Sequence, residues 1–83
     1  MPTIIGKIGN TIASENKNRI YSKVEIIDYQ KNRSFVEFRG DLKAIIDSIL
    51  PGVNIKAEVY IHGKLTKAGH TYNNIIATSI EKL

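Results

Sequence analysis

Apolar runs and polar marks alternate along the whole chain. The marks fall at Gly9-Asn10, Ser14 to Asn18, Gln30 to Arg33, Pro51-Gly52 and Lys67 to His70, all built from residue types that favour turns. Between them lie segments rich in Ile, Val, Tyr and Phe, which suit strands. A first strand is expected over Thr3 to Ala13. The second, Arg19 to Tyr29, alternates, with Ile20, Val24 and Ile26 on one face and Tyr21, Lys23 and Glu25 on the other. The turn Gln30-Lys31-Asn32-Arg33 leads to a third strand, Ser34 to Arg39, in which Val36 and Phe38 share one face and Phe35, Glu37 and Arg39 the opposite one. The second and third strands read as a hairpin.

The period then changes. Leu42, Ile45, Ile46 and Ile49 stand at i, i+3, i+4 and i+7, the apolar stripe of a short amphipathic helix. Asp41 occupies the position of an N-cap, and Leu50-Pro51-Gly52 stops the helix. Alternation returns afterwards: Val53, Ile55, Ala57, Val59 and Ile61 form one face of a fourth strand, and Lys56, Glu58, Tyr60 and His62 the other. A loop from Gly63 to Thr71 precedes the last strand, Tyr72 to Lys82, which turns Ile75, Ala77 and Ile80 to the core. The step from 77 to 80 breaks the period of two and calls for a bulge.

Three strands, a helix and two strands make an all-β chain with one short helix. Five strands in an open sheet leave edges exposed, and closure into a barrel removes them. A helix between strands three and four is the arrangement of the five-stranded OB-fold barrel. An SH3-like barrel is the competing architecture, but it normally lacks a three-turn helix at that point. Length agrees with one small domain: 83 residues, 42% apolar and 24% charged, suffice for a single core with little spare stability.

Composition narrows the chemistry. The absence of cysteine excludes disulfides and thiolate metal sites and suits a reducing compartment. No apolar run is long enough for a transmembrane helix, and Met1-Pro2-Thr3 does not resemble a signal peptide. The expected location is therefore the cytoplasm. Twelve Lys and Arg against eight Asp and Glu give a net charge of +4, compatible with a polyanionic partner. His62 and His70 lack a third His, a Cys or a carboxylate cluster, so no metal site is expected. Asn32-Arg33-Ser34 matches the glycosylation acceptor pattern, a match common by chance that has meaning only in a secretory setting, which is not expected here. No nucleophile–base set, phosphate-cradling glycine loop or carboxylate pair stands at a usable spacing, so neither an enzyme nor a cofactor is expected.

From Phe35 onward the residues carry a resemblance. The runs Phe38-Arg39-Gly40-Asp41-Leu42, Leu50-Pro51-Gly52-Val53, Val59 to Lys64, Tyr72 to Ala77 and Ile80 to Leu83 resemble small single-domain OB-fold single-stranded-DNA-binding proteins of bacteria and phages. The first 34 residues match in strand pattern and in the step Gly6-Lys7-Ile8. The resemblance implies a five-stranded OB-fold, single-stranded DNA as partner and a role in replication, recombination or repair. It further implies self-association as a dimer or larger assembly, and a host cytoplasm if phage-encoded. Two features depart from it. These proteins often stack bases on tryptophan, and this chain has none. Many also end in an acidic tail that recruits replication proteins, whereas the sequence here ends on Glu81-Lys82-Leu83.

A single-strand binder needs a basic groove that follows the phosphates and flat side chains on which bases stack. In an OB-fold the outer face of strands two and three and the loops between strands one and two and strands four and five supply it. Tyr21 and Lys23 fall on that face of strand two, and Phe35 and Arg39 on that of strand three. Lys17 and Arg19 stand at the first loop. Lys64, Lys67 and His70 stand in or beside the second, flanked by Tyr60 and Tyr72. The helix, with Asp41, Lys43 and Asp47, carries a net −1, so positive charge is biased to the groove. Each residue also has a plainer role: cross-strand packing for Tyr21 and Tyr60, an inward slip for Phe35, barrel-end packing for Tyr29 and Tyr72, solvated charge for any one Lys or Arg.

The expected activity is single-stranded DNA binding with little sequence preference, through stacking and backbone electrostatics. Two rivals stand beside it. An RNA-binding OB domain of the cold-shock or translation-factor type would use the same groove. A protein-interaction barrel would instead bury Tyr21, Phe35 and Tyr60 in a dry interface.

Overall fold

The structure is a computed structural model that describes residues 2–15 and 20–83, the side chain of Glu15 excepted. Five strands, β1 (Thr3–Glu15), β2 (Tyr21–Ile27), β3 (Arg33–Arg39), β4 (Asn54–Leu65) and β5 (Thr71–Lys82), surround one helix, α1 (Asp41–Asp47). The strands close into a barrel in the order β1-β2-β3-β5-β4. Closure comes from β1 pairing with β4 over Thr3 to Lys7, and from a short parallel contact of β3 with β5 at Val36–Ile75 and Glu37–Ile76. This is the OB-fold expected from the order of elements.

One strand must serve two partners for the barrel to close. β1 pairs with β4 through its first residues and with β2 from Lys7 to Glu15. Two register shifts, between Ile8 and Thr11 and between Thr11 and Ala13, give β1 extra residues against β2. Such bulges bend a strand and increase its twist, which lets β1 leave one neighbour for the other. Gly6 sits at the crossing, where a Cβ would collide with the Ile27 carbonyl oxygen. The bulge expected in the last strand is present at Thr78: Glu58 pairs with Ser79 and Val59 with Ala77. The Thr78 hydroxyl donates to the Glu58 carbonyl there.

Val24, Ile26, Val36, Phe38, Ile55, Ala57, Val59 and Ala77 form the core with Ile8 and Ile46. Burying each large side chain contributes about 1.5–3 kcal/mol. Two isoleucines assigned to the core by alternation are exposed instead, Ile20 at 55% and Ile61 at 60%. Ile20 precedes the first paired residue of β2. Ile61 lies beyond the part of β4 that β1 covers, which ends at Glu58. Both have core parity but stand outside the barrel. The expected loop from Gly63 to Thr71 is shorter than its marks suggest: β4 and β5 stay paired out to Leu65–Thr71. The turn is confined to 66–70 and closed by Thr66 and His70. The result is a β-ribbon that projects from the barrel.

The helix is shorter than its apolar stripe. It ends at Asp47, with Ser48 as C-cap, and Ile49 packs on the core from beyond the helix. Asp41 is not the N-cap. Gly40 takes that place, with φ 57° and no side-chain cap, and Asp41 lies in the first turn, where a carboxylate still favours the helix dipole. α1 packs against β2, β3 and β5, buries Ile46 and is tied to the sheet by a polar cluster. Lys43 Nζ donates to Asp47 Oδ2 at 2.6 Å, Ser14 Oγ at 3.1 Å and Ser22 Oγ at 3.2 Å, and Ser22 Oγ donates to Asp47 Oδ1 at 2.8 Å. Burial pushes the Asp47 carboxyl up, but the hydrogen bonds from Lys43 and Ser22 and the charge of Lys43 outweigh it, leaving the pKa below its usual value. The Lys43 charge is thereby paired with Asp47, and Asp41 is the exposed charge of the helix outside this cluster.

Candidate nucleic-acid interface

Alternation in the β2–β3 hairpin builds one outward surface. Tyr21 faces Arg39, Lys23 faces Glu37, Glu25 faces Phe35 and Ile27 faces Arg33 across the ladder. Phe35 is 44% exposed, so the inward slip is excluded and its ring is open to a ligand. Tyr21, Lys23 and Arg39 are half-buried beside it. An aromatic ring among cations is the combination that stacks a base and holds the adjoining phosphates.

The same surface carries two carboxylates that reduce its positive charge. Glu25 and Glu37 are 8% and 5% exposed. Glu37 Oε1 accepts from Arg39 Nε at 2.9 Å, and Glu25 Oε2 lies 3.7 Å from Arg33 Nε. Gly9 makes room for Glu25, since a Cβ there would strike its carboxylate. Arg39 is thus held in place by a hydrogen bond, and each arginine has part of its charge neutralised at its base.

Two shallow depressions continue this surface onto the β4–β5 ribbon. One, of about 510 Å³, is bordered by Lys23, Arg33 and Phe35, by Ile12 of β1 and by Asn73 and Asn74 of β5. The other, of about 440 Å³, is bordered by Ile20, Arg39, His62, Lys64 and Asn74. Asn74 borders both, so the two form one groove. Cations, amides, one aromatic ring and two exposed isoleucines line it, a surface suited to a flexible polyanion with flat apolar groups.

Of the residues assigned from the sequence, Lys23, Phe35, Arg39 and Lys64 meet in this groove. Tyr21 borders it as the ladder partner of Arg39. Tyr60 and Tyr72 lie on the ribbon face that also carries Lys64, Tyr72 directly opposite Lys64 and Tyr60 opposite Ile76. They are 39% and 45% exposed and border neither depression. Lys67 stands in the turn of the ribbon, away from both. Lys17 and Arg19 lie outside the described residues. The groove adds Arg33, Ile12, Ile20, His62, Asn73 and Asn74. Only Arg33 and His62 carried a chemical signal in the sequence, and both were set aside, one as a turn residue and one as a metal ligand without partners. Among the described residues no three His, Cys, Asp or Glu side chains gather to hold a metal ion.

No protein-family model matches the chain, and no curated protein matches it. Solved structures do. Two crystal structures of the mitochondrial single-stranded-DNA-binding protein Rim1 of S. cerevisiae superpose on it. One has a TM-score of 0.63 at 18% identity, covering 99% of this chain and 90% of that one. The other, selenomethionine-labelled, has a TM-score of 0.69 at 16% identity, covering 99% and 92%. Over nearly its whole length, the chain is thus similar in fold to an OB-fold protein that binds single-stranded DNA.

Proposed function

We propose that this protein binds single-stranded DNA with little sequence preference, without catalysis, in the groove between the β2–β3 face and the β4–β5 ribbon. One observation carries the reading: exposed Phe35 lies in a groove that continues through Asn74 to Arg39 and Lys64. Stacking on the ring contributes about 1–3 kcal/mol per base, and the cations follow the phosphates. The fold shared with Rim1 supports the same reading. A role in replication, recombination or repair and assembly into dimers or larger units belong to the proposal, since paired barrels would lengthen a short groove.

The test is a fluorescence-anisotropy titration of labelled single-stranded DNA, single-stranded RNA and duplex DNA at two salt concentrations. Tight binding of the DNA single strand that weakens with salt is expected. Failure to bind any polymer at low salt overturns the proposal. Equal affinity for duplex reduces it to charge attraction, and preference for RNA moves it to the RNA-binding class.

A further inference from the structure

A third depression, of about 570 Å³, opens on the far side of Arg33. It is bordered by Ile5 and Lys7 of β1, Ile27 of β2, the turn residues Tyr29 and Lys31, and Arg33 itself. The sheet register explains the grouping. Asn54, Lys7, Ile27 and Arg33 form one row across four strands, Lys7 pairing with both Asn54 and Ile27, and Ile27 with Arg33. Arg33 borders this depression and the one that holds Phe35. The groove therefore does not end at Phe35.

We propose that the single strand continues past Phe35, over the β2–β3 turn, into a second binding segment in which Tyr29 stacks a base and Lys7 and Lys31 hold phosphates. The inference rests on the function proposed above. Tyr29 is 91% exposed, so its ring contributes no packing to the barrel. Two carboxylates lie nearby: Glu25, whose Oε2 is 3.7 Å from Arg33 Nε, and Asp28, whose Oδ1 accepts from the Gln30 and Asn32 amides, both at 2.9 Å. Lys7, Lys31 and Arg33 outnumber them by one. Lys31 also has φ 66°, a left-handed conformation that a glycine or asparagine adopts more easily. The turn tolerates that strain while holding a cation at its apex, and ligand-contacting positions are where such strain collects.

The experiment compares oligodeoxythymidylates of about 6 and about 16 nucleotides, within the range one OB-fold covers. Wild type is set against Lys7→Ala, Tyr29→Ala and Lys31→Gly. Glycine suits the turn, so Lys31→Gly keeps or raises the melting temperature and any loss of binding is not unfolding. The variants are expected to bind the short oligomer as wild type does. On the long one, Tyr29→Ala should lose at least about fivefold, and each lysine variant should lower the slope of log affinity against log salt by about 0.7. Wild-type affinity for the long oligomer in all three variants overturns the second segment and leaves the first intact. Equal losses on both lengths also overturn it, because the segment is then not distal. If wild type binds neither oligomer, the proposed function falls and this inference with it.

Discussion

Arg39 and Glu37 lie two residues apart on the outer face of β3, with Arg39 Nε 2.9 Å from Glu37 Oε1. The carboxylate side chain is 7% exposed and the guanidinium side chain 40%. A buried acceptor therefore fixes one edge of a planar fork, whose other donors stay at the surface in the depression shared with Lys64. Fixing that edge lowers the entropy lost when a phosphate is bound.

Arg39→Ala should weaken single-stranded DNA binding by about 1.5–3 kcal/mol, the range for a hydrogen bond to a charged group. Glu37→Gln keeps an oxygen acceptor for Arg39 and removes a negative charge, so its affinity should equal or exceed wild type. Anisotropy titration of both variants decides the point. A glutamine variant as weak as the alanine variant would contradict the orienting role.

Phe35 and Phe38 stand three residues apart on opposite faces of β3. Phe38 is 0% exposed, and Phe38→Ala should destabilise by about 3–5 kcal/mol. Phe35→Ala should leave urea unfolding nearly unchanged yet weaken DNA binding by about 1–3 kcal/mol. The two measurements together separate core from platform.

Gly6→Ala should destabilise the barrel by about 1–3 kcal/mol, as overpacking does, because the added methyl meets the Ile27 carbonyl oxygen. Urea unfolding followed by circular dichroism reads the shift in midpoint.

The Lys43–Asp47–Ser22 cluster makes stability depend on acid. The folded Asp47 pKa lies below its ordinary value of about 3.8, so its contribution is complete above that value and is lost as pH falls through the folded pKa. Asp47→Asn should therefore be less stable than wild type at neutral pH, and the gap should narrow below pH 3.8. Urea midpoints across that window check the sign. A constant gap would assign the effect to packing alone.

Lys64 borders the groove and Lys67 sits in the ribbon's turn. Lys64→Ala should weaken binding and lower the salt slope by about 0.7, with a smaller effect from Lys67→Ala. Equal effects would spread the site to the tip of the ribbon.

Much of this arrangement was legible in the chain. Alternation in Val24–Ile26, Val36–Phe38 and Ile55–Ala57–Val59 gave the core, and the broken period between Ala77 and Ile80 gave the bulge. The faces of Lys23, Phe35 and Arg39 followed from the same rule. Alternation does not say where a barrel stops, which is why Ile20 and Ile61 were assigned inward although both lie past its rim. It also does not say which strands meet. Asn74 joins the groove because β5 lies beside β3, and Lys7 meets Arg33's row through β2, pairings between segments distant in sequence. Glu25 meets Arg33 diagonally across the β2–β3 ladder. The closeness of Gly9 to Glu25 depends on the β1 bulges, whose place the Gly9-Asn10 mark shows without saying that the strand runs on through it.

Chemical-shift mapping tests the central claim most directly. Amide resonances of the labelled protein are followed while a short oligodeoxythymidylate is added at low salt and again at high salt. The account predicts shifts at Lys23, Phe35, Arg39, Lys64 and Asn74 that shrink as salt rises, with Asp41 to Asp47 unmoved. Shifts centred on α1, or none in the groove, would contradict it.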